Sequence, residues 1–448
     1  MTFKQLLVDK SFYKENIVLA TPIVLANAGQ SLVSVVDNAM VGRLGAEPLA
    51  AAAFAGVLVM NVLVFGLGMS YGLTPLVGKA HSTGDHRRAA FLFQNSLSLN
   101  TIIGLALSLG LIAATPLLGH MWQNAAVVEA AKPFYILIAA SIFPYMIFLS
   151  FKQFMEGIGN TTVPMAITVG CNILNIFLNW VLIFGKLGAP QMGANGAALS
   201  TLLSRAVMPV AFYIYLAGHR SYRRYFLLFG TRNFTRRCHG QLLAIGTPIS
   251  LQMVIEMFAL SVTAVMMGWI GPEALAANQI VLTVMSFMFM VASGISGAVT
   301  VLVSHSSSPR QIMNYAKAGM QMSALYMFAA SILYIFAGGP IATLFNNDPQ
   351  VIAISARVFI IAALFEISDG IQVTALGALR GMADVTKPMI YAIIIYLFLN
   401  IPIGYLLGFT AGLGEEGIWL GFFVGVTAAA VLFNVRLKQR VKRRMPMA

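Results

Sequence analysis

TPIVLANAGQSLVSVVDNAMVGRLGAEPLAA (residues 21–51) decides the fold, because the chain says it twice. At an offset of 226 residues it meets TPISLQMVIEMFALSVTAVMMGWIGPEALAA (247–277). Thr21 and Pro22 align with Thr247 and Pro248, and Gly42, Gly45, Glu47 and Leu49 align with Gly268, Gly271, Glu273 and Leu275. The match runs without a gap to Gly68, Ser70, Thr74 and Val77, which meet Gly294, Ser296, Thr300 and Val303. Gly157, Thr162, Pro164 and Met165 later meet Gly381, Thr386, Pro388 and Met389 at an offset of 224. Isolated Ala or Leu coincidences are common in apolar sequence; this set is a repeat.

What repeats is a membrane bundle. The chain has 448 residues, 58% of them hydrophobic and only 10% charged. A soluble domain carries about 25% charged residues, so composition excludes a soluble, disordered or fibrous protein. Apolar runs long enough to cross about 30 Å of hydrocarbon fall at 17–41, 50–77, 91–118, 133–151, 164–185, 196–216, 241–269, 276–303, 319–345, 351–378, 388–411 and 417–435. The fourth is short. Six spans separate the copies, so both enter the membrane from the same side. The expected architecture is all-α, twelve transmembrane helices in two pseudo-symmetric six-helix bundles. The expected division is 1–220 (first lobe), 221–240 (basic linker) and 241–448 (second lobe with a basic tail). Two like bundles facing each other leave a cleft between them, the plan of alternating access.

The net charge of +13 suits basic inner loops better than nucleic acid. With the N-terminus cytoplasmic, the inner segments carry Lys4, Lys10, Lys14, Lys79, Arg87, Arg88, Lys152, Arg220, Arg223, Arg224, Arg232, Arg236, Arg237, Arg310, Lys317, Arg380, Lys387 and the tail cluster Arg436, Lys438, Arg440, Lys442, Arg443 and Arg444. The outer loops carry only Arg43, Lys132 and Lys186. Both termini are therefore expected inside, with no signal core ahead of the first span. Cys171 lies in an apolar segment and Cys238 in a basic loop, which gives no reason for a bridge.

Four acids fall within spans, Asp37, Glu256, Glu366 and Asp369, against two bases, Arg205 and Arg357. An ionised side chain at mid-bilayer costs about 2.5–3.5 kcal/mol on insertion scales. Pairing cannot neutralise all four, so the excess acids face protein or water and point to function. Glu366 and Asp369 share a helix face and titrate as a coupled pair. Such carboxylates can carry a proton across, and the same oxygens can ligate Na⁺. Asn172, Asn175 and Asn179 form a stripe on the fifth span, with Thr201 early in the sixth. Their oxygens could join Asp37 around a small cation. The acids break the repeat: Asp37 aligns with Thr263, and Glu256 with Gln30.

The sequence resembles the multidrug and toxic compound extrusion (MATE) family, in its NorM-like bacterial branch, over essentially the whole chain. VDNAMVGRLG (36–45), EGIGNTTVPM (156–165) and SDGIQVTALGALRG (368–381) carry the resemblance, supported by NILNIFLNW (172–180) and QMVIEMF (252–258). It implies efflux of lipophilic, often cationic compounds driven by Na⁺ or H⁺ entry, with no cofactor. It implies cation or proton coupling at Asp37 with Asn175, Asn179 and Thr201, and at Glu256 and Asp369 in the second lobe, with Glu366 a coupling neighbour. Na⁺ ligation is expected at Glu256, Asp369 or Asp37. Some relatives carry Asp in place of Asn179, and some have Tyr near Phe365. Met285, Phe287, Met288 and Phe289 are candidates to line a substrate cleft, since Met surfaces repack around unlike ligands and aromatic faces attract cations. The expected setting is a monomer in the bacterial inner membrane.

Two other classes fit the sequence less well. A lipid-linked oligosaccharide flippase shares the two-lobe plan but needs cavity bases for pyrophosphate, whereas the intramembrane set here is acidic. An intramembrane enzyme needs a buried histidine cluster or a nucleophile setting. The six histidines fall in loops or at span ends, and GMSYG (68–72) lacks the strand-to-helix turn of a hydrolase nucleophile.

Overall fold

The computed structural model describes residues 8–120, 125–230 and 233–443. Lys4, Arg232 and Arg444, placed on the inner side by sequence, lie outside these. Twelve helices are long and apolar enough to cross a membrane. We number them α1 (Lys10–Gly42), α2 (Glu47–Ser82), α3 (His86–Ala113), α4 (Ala125–Gly157), α5 (Thr162–Phe184) and α6 (Ala194–Gly218). The second set is α7 (Arg236–Ile270), α8 (Pro272–His305), α9 (Pro309–Thr343), α10 (Pro349–Gly381), α11 (Thr386–Thr410) and α12 (Gly414–Lys442). The fold is all-helical with twelve spans.

The fourth span is not short. It runs 33 residues, because its charged ends stay helical. Lys132 pairs with Glu129, and Lys152 lies 3.8 Å from Glu156. Lys152 is thus not a loop residue: its side chain is only 14% exposed. The basic tail is likewise helical to Lys442. Arg436 is no bare topology charge, since its guanidinium donates to both oxygens of buried Asp384 at 2.7 and 3.0 Å. Arg357, counted among intramembrane bases, pairs with Glu416 at 2.7 Å and is half-exposed. It therefore leaves the intramembrane acids alone.

By contact the chain forms two compact units, Leu25–Ser250 and Met1–Val24 with Leu251–Ala448. This differs from the division by sequence at 221–240. The first stretch of α1 belongs with the C-terminal set of helices, and the first stretch of α7 with the N-terminal set. The two boundaries are 226 residues apart (250 minus 24), the repeat offset itself. Pro22 and Pro248, two residues before each boundary, lie inside α1 and α7 rather than at their starts. A proline inside a helix removes one backbone hydrogen bond and bends it.

Glycines make each exchange possible. In the unit 25–250, a Cβ on Gly68 would lie 2.4 Å from Ser250 Cα, so α2 touches α7 backbone to backbone. In the other unit a Cβ on Gly294 would lie 2.3 Å from Val24 Cγ2 and 3.1 Å from its backbone N. These are the same contact in the two repeats. Close small-residue packing of this kind replaces the hydrophobic effect as the cohesive force between helices in lipid.

The linker is docked onto the unit 25–250. A helix, Arg220–Leu227, follows α6 and buries Tyr225 to 1% exposure. Phe226 and Phe229 close around Phe93, itself stacked on Phe154 at 4.2 Å. Gln94 donates to Gly230 O at 2.8 Å and Asn95 to Asn233 O at 2.9 Å, fixing the segment before α7. Cys238, expected in a loop, sits buried in the first turn of α7; both cysteines are free.

Candidate functional site

The unit 25–250 gathers one carboxylate and a set of amides and hydroxyls. Asp37 lies in the last two turns of α1. Asn179 donates its Nδ2–H to Asp37 Oδ1, and Ser200 donates its hydroxyl to Asn179 Oδ1. One turn back on α5, Asn175 has its own neighbours. In the amide orientation that satisfies both its ends, its NH₂ donates to Asp37 Oδ1 at 3.2 Å. Its oxygen then accepts from Ser204 Oγ at 3.2 Å and from the Thr201 N–H at 3.3 Å. The spacing explains this: 175 and 179 share a face of α5, as do 200, 201 and 204 on α6. Asn179, Asn175 and Ser200 are buried, so their polar atoms need these partners. Asn172, the third of the asparagine stripe, is not part of the set and packs beside Gly29, where a Cβ would meet its Nδ2 at 3.3 Å.

Beside this network stands Arg205, one residue beyond Ser204. Its Nη1 donates to Ser141 Oγ at 2.8 Å, and its guanidinium lies over the Tyr145 ring at 4.8 Å. Tyr145 OH in turn accepts from Gln30 Nε2 at 3.1 Å. Gln30 precedes Asp37 by two turns on the same face of α1.

The other unit holds three acids. Glu256 on α7 accepts from Gln252 Nε2, one turn earlier, at 3.0 Å. On α10, Glu366 is 1% exposed; its Oε1 accepts from Tyr334 OH at 3.0 Å, while its Oε2 has no partner. Asp369 lies within electrostatic range of both Glu256 and Glu366. Gln372, one turn on, donates to Tyr396 OH at 2.8 Å. Tyr396 opens a π-helical turn, Tyr396–Asn400, in α11. Such turns are found mostly where a helix is bent to a functional need. Phe365 is fully buried and stacks on Trp419 at 6.2 Å.

Of the residues that spacing and the family resemblance set around Asp37, the structure brings Asn175, Asn179 and Thr201 into one network with it and leaves out Asn172. Glu256, Glu366 and Asp369 gather in the other unit. Ser200, Ser204, Gln252 and Tyr334 escaped notice, and Arg205 was noted without a role. The hydroxyls were legible as a second stripe on α6, and Gln252 as the i−4 neighbour of Glu256. Tyr334 carried no local signal, since its partner is 32 residues away. The α8 quartet divides: Met285 and Met288 pack on the apolar core of their unit, while Phe287 and Phe289 are exposed. Tyr326 OH donates to Met288 sulfur at 3.3 Å. No three His, Cys, Asp or Glu side chains converge on a metal-sized site among the described residues. A cation at any of these carboxylates would draw on amide, hydroxyl or backbone oxygen for its remaining ligands.

Two like helical units, each with at least one carboxylate among polar side chains inside its spans, are the frame of a polytopic membrane transporter. A family model described as MatE matches residues 22–181 and again 248–406, starting at the same place in each repeat. The chain belongs to the MATE family. It is similar to the probable multidrug resistance protein NorM of Idiomarina loihiensis, 31% identical across 95% of this chain and 94% of that one. Against the protein of that name from Mesorhizobium japonicum, identity is 32% over 97% of this chain and 95% of the relative. Multidrug resistance protein PmpM of Pseudomonas aeruginosa is 30% identical over 96% and 92%. Among solved structures, a MOP superfamily transporter from Pyrococcus furiosus has a TM-score of 0.88 at 21% identity, over 100% and 99% of the two chains. The eukaryotic MATE transporter AtDTX14 gives 0.87 at 18%, over 97% and 98%. These last two speak for the fold alone.

Proposed function

We propose that the chain is an antiporter of a bacterial inner membrane, with both termini cytoplasmic. It expels lipophilic, often cationic compounds in exchange for entering Na⁺ or H⁺. Family membership and the multidrug resistance proteins among its relatives support export of drugs. The observation that carries the ion coupling is the setting of Asp37: a carboxylate inside a span, bonded by the amide groups of Asn179 and Asn175 and by no base. Amide donors soften the cost of that charge without cancelling it, so the site keeps an affinity for a proton or a small cation. Glu256 and Asp369 provide the second set, with Glu366 beside them.

Exchange requires that cation and drug compete for a site or for a conformational state. Export of a lipophilic cation fits the excess of acids over bases inside the spans, and Met285 and Met288 are adaptable contacts for it. The protein works as a monomer, because each unit already holds its own polar set. Cells expressing Asp37→Asn or Glu256→Gln, with insertion checked, are expected to lose efflux of a cationic dye. Wild-type efflux by both variants would overturn this reading.

A further inference from the structure

We infer that Arg205 is a tethered counter-ion of Asp37, a built-in cation that competes with the coupling ion for this carboxylate. The inference rests on the proposed coupling role of Asp37 and deepens it.

Among the described residues of the unit 25–250, Lys152, Glu156, Asp37 and Arg205 are charged groups within its spans. Lys152 and Glu156 are paired at 3.8 Å on α4 and answer each other. Asp37 and Arg205 remain. They lie within electrostatic range of one another, and no ion pair joins them among the described residues. Instead Asp37 is held by amides, and Arg205 is parked on a hydroxyl (Ser141) and an aromatic face (Tyr145). A guanidinium in such a place is stabilised by the ring and by the distant carboxylate, yet it has no carboxylate partner among the described residues.

This arrangement has two resting places for one side chain. Ser204, the residue before Arg205, and Thr201, one turn earlier, both contact Asn175, which also reaches Asp37. The α6 face that carries Arg205 is therefore the face that borders the Asp37 network. An Arg stem is long enough to swing its planar donors between neighbours on adjacent helices. With Asp37 ionised and its site empty, the charges of the pair sum to zero and the guanidinium is drawn toward the carboxylate. When a proton or Na⁺ occupies Asp37, the attraction is gone. Arg205 is then best accommodated on Ser141 and Tyr145.

The arrangement serves turnover. An unopposed carboxylate in a low-dielectric interior would bind its cation tightly and release it slowly. A tethered positive charge weakens that binding and offers the carboxylate a replacement partner at the moment of release. It also makes the unit 25–250 a poor host for a second cation, so a cationic drug has more to gain from Glu256, Glu366 and Asp369.

The test is the initial rate of cationic-dye uptake by proteoliposomes, measured against the concentration of Na⁺ and of H⁺ separately. For Arg205→Gln the half-saturating concentration of the coupling ion is expected to fall roughly tenfold, as removal of one charge at a partly buried site implies. The maximal rate should fall with it. Arg205→Lys, which keeps the charge, should shift the half-saturating concentration far less than Arg205→Gln does. Ser141→Ala removes the parking place and should raise the half-saturating concentration. An unchanged half-saturation in Arg205→Gln, with only the maximal rate reduced, would overturn the inference. If Arg205→Gln does not fold, an unchanged half-saturation in Ser141→Ala overturns it instead. Ion-induced thermal stabilisation of the purified protein gives a second arm. Arg205→Gln should enhance it in the wild-type background and leave it unchanged in Asp37→Asn; equal enhancement in both would place the effect elsewhere. Should Asp37→Asn itself transport normally, the coupling role of Asp37 falls, which is a different failure from a silent Arg205→Gln.

Discussion

At the scale of single residues, the polar groups inside this protein divide into those that hold the fold and those left with unused capacity. Arg436 and Asp384 are of the first kind, a buried bidentate pair between the turn after α10 and the end of α12. Removing one partner strands a buried charge, which costs about 3–5 kcal/mol. Asp384→Ala is expected to lower the melting temperature of the detergent-purified protein sharply, and a melting curve checks it. Glu366 is of the second kind, with one oxygen bonded to Tyr334 and one with no partner. Tyr334→Phe takes the remaining hydrogen bond from a buried carboxyl, a loss of about 1–3 kcal/mol. It should lower the melting temperature less than Asp384→Ala, and Glu366→Leu should remove most of the effect of Tyr334→Phe. The identities of the intramembrane acids were legible in the sequence because charge is scarce in a span. Their partners were legible only within one helix turn. Asn179 and Thr201 could be guessed from spacing and resemblance, whereas Tyr334 and Ser141 could not, since only packing brings them to Glu366 and Arg205.

At the scale of elements, backbone contact sets which helices can pair. Gly68 meets Ser250, and Gly294 meets Val24, at equivalent points of the repeat. A side chain at either glycine must push two helix backbones apart. Gly68→Val and Gly294→Val are both expected to lower the yield of folded protein, to a similar degree, as read by monodisperse recovery in size-exclusion chromatography. In α12, Gly421 lies against Gly404 of α11, where a Cβ would come within 2.4 Å of Cα, and this matches the small-x-x-x-small spacing 421–425. The helices themselves were read almost completely from hydropathy. The misses have a common physical cause. Lys152 and Glu156 made α4 look short, and Arg436 made the end of α12 look like a tail, because a hydropathy window counts a charge as an exit from the membrane. A charge paired inside protein is no such exit.

At the scale of the whole molecule, hydropathy gave the twelve spans and the repeat the two halves, while the division at 221–240 followed the basic stretch between them. Contacts divide the chain at 24/25 and 250/251, inside α1 and α7. A sequence division follows loops, while a contact division follows packing. The prolines just before these points are visible in the repeat as matching Thr-Pro pairs. The two units share backbone plan and differ in charge. One holds Asp37 with Arg205 and the pair Lys152–Glu156, the other Glu256, Glu366 and Asp369.

The central claim is that ion entry through these carboxylates drives drug exit. It is tested most directly by uptake of a cationic dye into proteoliposomes under an imposed Na⁺ or H⁺ gradient. We expect uptake driven by at least one of the two gradients in the wild type, and by neither in Asp37→Asn or Glu256→Gln of normal fold. Uptake at the wild-type rate in both variants, or uptake that ignores both gradients, would contradict it.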